Sequence, residues 1–174
     1  NPTSIYQRTF TLPKSWAGQE IIAHFGGSTS VLVVYLNGTL IGLSKDSCLP
    51  AEFNLTPALT REGENLLQAV VIKWSDASFI EDQDQWWLSG LHREVFLYAT
   101  PRVALRDVHI KSTLTDNFAA AEFKMEVHAG LFDAGPFPQG ISASVRLLDP
   151  AGRDVFKKPL VGELSVPEKR QHNQ

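Results

Sequence analysis

Ser4–Phe10 alternates polar and apolar residues with a period of two, which places successive side chains on opposite faces of an extended strand. Gly18–Phe25, with Ile21, Ile22, Ala23 and Phe25, Ser28–Leu36, with a Val/Leu/Tyr run, and Thr39–Ser44, Leu66–Trp74 and Arg93–Tyr98 read as further strands. Asn37-Gly38 interrupts the Val/Leu/Tyr run and its successor, so Ser28–Leu36 and Thr39–Ser44 are predicted to form a hairpin with a two-residue turn. Ala51–Arg61 reads as a capped turn that leads into a second tight turn, Gly63-Glu64-Asn65. No segment holds a helical period of about 3.6 over about 11 residues or more.

A domain boundary is predicted at Thr100-Pro101. Beyond it, Val103–Lys111, Ala121–His128 and Ile141–Leu148 alternate again, and Gly130–Gly140 is a Gly/Pro-rich loop. Asp149-Pro150-Ala151-Gly152 is a turn, from which Val155-Phe156 and Leu160–Leu164 return. Many short strands at this spacing predict an all-β chain of two sandwiches, residues 1–101 and 102–174. The second unit offers roughly five strands against the ~7 of an immunoglobulin-like sandwich, so it is expected to be marginal alone and to expose an unpaired edge.

One segment, irregular in polarity and crowded with charge, does not read as a plain strand. Trp74–Val95, WSDASFIEDQDQWWLSGLHREV, gathers Asp76, Glu81, Asp82 and Asp84 with Trp74, Phe79, Trp86 and Trp87. Carboxylates accept hydroxyl hydrogens, and aromatic rings offer flat apolar area with an indole donor. That is chemistry suited to a sugar, on a long connection of the kind that carries function.

Composition narrows the alternatives. The 174 residues are 43% hydrophobic and 20% charged, as in ordinary globular proteins. A formal net charge of -3 gives no electrostatic case for nucleic acid. No run approaches the ~18 apolar residues of a membrane span, and no leader is read at Asn1–Phe10. Cys48 is the single cysteine, which fits a reducing, cytoplasmic setting. The five histidines show no ligand spacing for zinc, and Asp76–Asp84 lacks the glycine of a calcium loop. The abrupt start and the polar tail Lys169–Gln174 suggest a piece of a longer chain.

Four blocks resemble the N-terminal part of the family 2 β-galactosidases, a glycoside hydrolase family. They are Asn1-Pro2-Thr3 with Tyr6 and Phe10; Asn37-Gly38 and Gly42 with Asp46-Ser47, Leu49-Pro50-Ala51-Glu52-Phe53-Asn54-Leu55; Gly63-Glu64-Asn65 with Leu67; and Trp74-Ser75-Asp76, Glu81-Asp82-Gln83-Asp84, Trp86, Ser89-Gly90, Arg93 and Val95. The last block is the most specific. Coverage is good over residues 1–100 and weak over 102–174, and Cys48 departs from an arginine common in the family.

The resemblance implies a jelly-roll (galactose-binding-domain-like) domain at 1–101, lacking its first strands, and a partial immunoglobulin-like domain at 102–174. It implies a parent that hydrolyses terminal β-galactosides with retention, uses Mg²⁺ and Na⁺, and forms a homo-oligomer. The catalytic α/β barrel of such a parent needs roughly 250 residues and is not within this chain. The chain is therefore expected to hold no catalytic residue, to need no cofactor alone, and to partner the barrel of its own parent. By the same resemblance, Asn1 and Asp76 line the rim of the galactose site, and Asp76 also helps hold sodium. Asp82 and Asp84 are read as structural, bonding turn backbone, Ser89 or Arg93, while Trp86 and Trp87 are read as core in preference to sugar platforms. Two other readings stay open: an autonomous carbohydrate-binding module, and a docking domain without sugar affinity.

Overall fold

The computed structural model describes residues 1–80, 84, 86–132 and 135–164. It divides into two units, Asn1–Arg102 and Val103–Gln174.

In the first unit, strands β1 (Thr3–Phe10), β2 (Glu20–Phe25), β3 (Ser28–Thr29), β4 (Val31–Leu36), β5 (Thr39–Ser44), β6 (Ala51–Asn54), β7 (Asn65–Ile72), β8 (Gly90–Leu91) and β9 (Val95–Thr100) form antiparallel sheets. The larger sheet runs β1-β7-β4-β5, the smaller one β6-β2-β9, and β3 pairs with β8. The four-residue helix α1 (Ala77–Ile80) follows β7. No helix among the described residues is long and apolar enough to cross a membrane.

The core lies between the two larger sheets. Leu32, Val34 and Leu36 of β4 and Ala69 and Val71 of β7 meet Ala23 and Phe25 of β2, Phe53 of β6 and Leu55 beyond it. The period-two pattern explains this: alternate residues of each strand reach the same face, and each large side chain contributes about 1.5–3 kcal/mol by leaving water. The Phe25 and Phe53 rings pack edge to face at 5.8 Å. Gly42 of β5 lies against Phe53, whose ring atoms are 2.8 and 2.9 Å from where a Cβ on Gly42 would stand.

Asn37 (φ 51) and Gly38 (φ 80) form the predicted hairpin turn in the left-handed region that such a turn requires. The Asn37 side chain also ties the turn to the next loop. Its Nδ2 donates to Asn65 Oδ1 at 2.9 Å, and its Oδ1 accepts the Leu66 N–H at 2.8 Å. Asn65 is fully buried and bonds both backbone groups of Thr60, at 2.8 and 2.7 Å. Its burial is tolerable because its amide is satisfied on both sides.

The structure corrects two strand expectations. Ala51–Arg61 is not one capped turn: its first four residues are β6, paired with β2 through Ile22↔Asn54 to Phe25↔Ala51. Phe53 is its single buried residue, so the strand is too short to show alternation. The run Ser28–Leu36 is divided between β3 and β4, because Ser28–Thr29 leaves to pair with Gly90–Leu91.

The second unit contains β10 (Val103–Thr115), β11 (Ala120–Leu131), β12 (Ser142–Val145) and β13 (Leu160–Glu163), paired as β10-β11 and β12-β13. All buried hydrophobic side chains among the described residues lie between Ile21 and Val71, none in this unit. A cavity of about 420 Å³ lies between Phe123–Val127 of β11 and the β12-β13 pair. Paired sheets that leave such a space between them hold little apolar core, consistent with the unit's few strands.

Replacing Gly42 with Ala is expected to destabilise the chain by about 1–3 kcal/mol through overpacking against Phe53. Urea unfolding checks this, and a Phe53→Leu background should reduce the cost of Gly42→Ala if the ring is what it meets.

Candidate functional site

The unusual segment begins where β7 leaves its sheet. The β1-β7 ladder runs from Phe10↔Asn65 to Thr3↔Ile72, and the Lys73 N–H then donates to Pro2 O at 3.0 Å. Pro2 has no N–H to return. One step further, the Asn1 side chain replaces a strand residue: Oδ1 accepts the Trp74 N–H at 3.0 Å and Nδ2 donates to Trp74 O at 2.6 Å. Thr3 Oγ1 donates to Asn1 O at 3.2 Å.

Ser75 then turns the chain inward. Its hydroxyl bonds that of Ser30, which is 1% exposed, and its N–H donates to Ser78 Oγ at 3.1 Å. Ser30 N–H in turn donates to Ile72 O at 3.1 Å. With Ser75 pinned, Asp76 points outward at the start of α1, its side chain 71% exposed.

The Asp76 carboxylate has two donors. Lys45 Nζ, immediately after β5, lies 2.8 Å from Oδ1 and 3.0 Å from Oδ2, and the Ala77 N–H lies 3.1 Å from Oδ1. The Lys45 hydrogen bond, then the Ala77 N–H, then the lysine charge hold the Asp76 carboxyl below its usual range, slightly opposed by desolvation. Among the described residues, no group of three or more His, Cys, Asp or Glu side chains is placed to hold a metal ion.

Two residues before Asp76, Trp74 takes part in an aromatic pair. The Trp74 and Trp87 rings are 4.9 Å apart at 46°, and Lys73 Nζ sits 4.9 Å over the Trp74 ring. Trp86 is 83% exposed and Trp87 47% exposed, so the expectation that both are core is corrected. The described residues 86–89 belong to no strand that would turn a face inward, and Trp87 packs on Trp74 instead.

The remaining acidic residues divide. Asp82 lies outside the described residues, as do Glu81, Gln83 and Gln85. Of the side chains expected to bond Asp84, Ser89 donates from Oγ to Thr29 O at 2.9 Å and Arg93 donates to Gly26 O at 3.4 Å. Those bonds close the base of the segment onto β3 and the residues before it. Gly90, at φ 105, is required there, because Tyr6 Oη stands 2.7 Å from where its Cβ would be.

Asn1 and Asp76, the two candidate binding residues, are thus brought to one end of the larger sheet. Lys45 joins them although nothing in the sequence marks it: it lies 31 residues from Asp76 and reads as a solvated charge at a strand end.

The two larger antiparallel sheets packed over one core make a β-sandwich, and residues 1–101 match the model for the sugar binding domain of glycosyl hydrolases family 2. The chain belongs to that family. It is 39% identical over 171 residues to a β-galactosidase of Priestia megaterium, covering 98% of this chain and 16% of that protein. It is 45% identical over 145 residues to a β-galactosidase of Vibrio cholerae, covering 77% of this chain and 14% of that one. The chain therefore spans about a sixth of the length of these relatives. Among solved structures, a β-glucuronidase of an uncultured Clostridium superposes with a TM-score of 0.73 at 26% identity, over 92% of this chain and 29% of that one. A Ruminococcus gnavus β-glucuronidase superposes with a TM-score of 0.75 at 22% identity, over 92% and 28% respectively, and shows the fold.

A carboxyl whose pKa is lowered in the folded state contributes stability above its unfolded pKa, and loses it as pH falls through the folded value. In an NMR titration Asp76 should therefore protonate below the usual aspartate range. Lys45→Met should move that midpoint upward, and an unchanged midpoint would show that the pair does not persist in solution.

Proposed function

We propose that this chain is a non-catalytic part of a β-galactosidase-type hydrolase, in which the Asp76 segment forms one wall of the galactoside site. The observation that carries this is the placement of Asp76. Its carboxylate is ionised, outward-facing and braced at Ser75 and Trp74, and the Trp74 ring two residues before it packs against Trp87. Such a group accepts hydroxyl hydrogens but has no proton to give at neutral pH.

That chemistry suits holding a sugar and not cleaving it. Retaining hydrolysis needs a carboxylate nucleophile and a second carboxyl kept protonated by a raised pKa. Among the described residues the displaced carboxyls, Asp76, Asp149 and Asp154, are all lowered, each by a basic side chain or a backbone N–H. The nucleophile and acid are assigned to a barrel elsewhere in the parent chain. Galactose as the glycone is supported by the β-galactosidase relatives, at 39% and 45% identity. The parent's Mg²⁺, its homo-oligomeric state, and an immunoglobulin-like character for the second unit belong to the same proposal.

Asn1 contributes mainly as a brace. Its amide already spends one N–H and one lone pair on Trp74, leaving one N–H and one lone pair for a hydroxyl. A second reading, that the domain binds sugar by itself, is favoured by one observation: Trp86, at 83% exposure, presents a broad apolar ring to solvent.

The purified chain is expected not to turn over a chromogenic β-galactoside; turnover blocked by a galactose-like inhibitor would falsify the assignment of catalysis elsewhere. Chemical-shift mapping during a galactose or lactose titration separates the two readings. Saturable shifts at Asp76 and Trp86, abolished by Trp86→Ala, favour autonomous binding, and a flat response favours a wall that works only against its barrel.

A further inference from the structure

The carboxylate at the rim already has a cation of its own. Lys45 Nζ reaches both oxygens of Asp76, at 2.8 and 3.0 Å, so the ammonium stands in the fork of the carboxylate. An alkali ion bound by both oxygens would need that same position, and the two positive charges would repel at such a distance. Ala77 N–H takes a further lone pair of Oδ1. Among the described residues, no group of three or more His, Cys, Asp or Glu side chains stands ready to hold a metal ion. The residues present therefore do not fit the sodium ion that the family resemblance implies at Asp76.

We propose that Lys45 is the resident counter-cation of Asp76, a positioning residue that holds the carboxylate outward where an alkali ion would otherwise be needed. The proposal rests on the reading of Asp76 as a sugar-facing acceptor, and adds that this acceptor is set without added sodium. A tethered ammonium has two properties that a free ion lacks. It is always present at high local concentration. It also has three donors in all, so one beyond the two engaged by Asp76 can reach a hydroxyl that approaches the rim. The location supports this use: β5 ends at Ser44, and the next residue carries its charge directly to the turn that Ser30 and Ser75 pin.

The test uses the isotopically labelled chain, following the Asp76 and Ala77 amides and the Asp76 carboxyl carbon by NMR while NaCl replaces choline chloride at constant ionic strength. In the wild type these signals should not respond to sodium. Lys45→Met should displace them in choline chloride, and Lys45→Arg should restore the wild-type positions. Lys45 is exposed, so core methyl signals should stay unchanged and report an intact fold in both variants. A saturable sodium response in the wild type overturns the proposal, as does a Lys45→Met variant whose Asp76 and Ala77 signals coincide with the wild type. A galactose titration that leaves Asp76 unmoved counts against the sugar-facing reading alone, because the sodium comparison is read without sugar.

Discussion

The rim depends on one extension of a hydrogen-bond ladder. β1 and β7 pair in register up to Thr3↔Ile72, and a proline then stands where the edge strand should keep donating. The ladder survives because an asparagine side chain carries both a donor and an acceptor in amide geometry. Asn1 offers these to Trp74 as a neighbouring backbone would. Trp74 is thereby held as though still in the sheet, and only after it does the chain turn through Ser75 to present Asp76. That step adds to the Ser75–Ser30 bond and the Lys45 pair in setting where the carboxylate points.

What the sheet contributes to the site is thus orientation, and the charge is supplied across it. β7 delivers Asp76 and β5 delivers Lys45, two strands with β4 between them in the same sheet. An exposed ion pair of this kind contributes little to folding stability. Its effect is local: it fixes the ionisation and direction of one carboxylate. The stability comes from elsewhere, from the core between the two larger sheets and from the buried Asn65 that ties the hairpin to the next loop. This division lets the rim residues vary with little effect on folding.

Much of the fold was legible in the sequence because strands are dense in β-branched, aromatic and other apolar residues and are bounded by turn residues. The apolar runs of β4, β7 and β9 and the turn pair Asn37-Gly38 carry that signal. β6 escaped because a four-residue strand with one buried side chain has no period to read. The site was legible by type and not by partner. Asp76 and Trp74 stand in an evident chemical cluster, and Asn1 in a block of family resemblance, whereas Lys45 enters only through strand pairing that no local pattern reveals. The tryptophans misled for a related reason. Size alone suggests core, but Trp86 and Trp87 are exposed and lie in no strand, and composition cannot see that.

The central claim, that the Asn1 side chain completes the ladder and so positions the Asp76 turn, is tested most directly by hydrogen exchange at the Trp74 amide. That N–H should be protected to a degree comparable with Lys73 in the wild type, and should lose its protection selectively when Asn1 is replaced by Ala. A Trp74 amide that exchanges in the wild type as fast as an open loop would contradict the account.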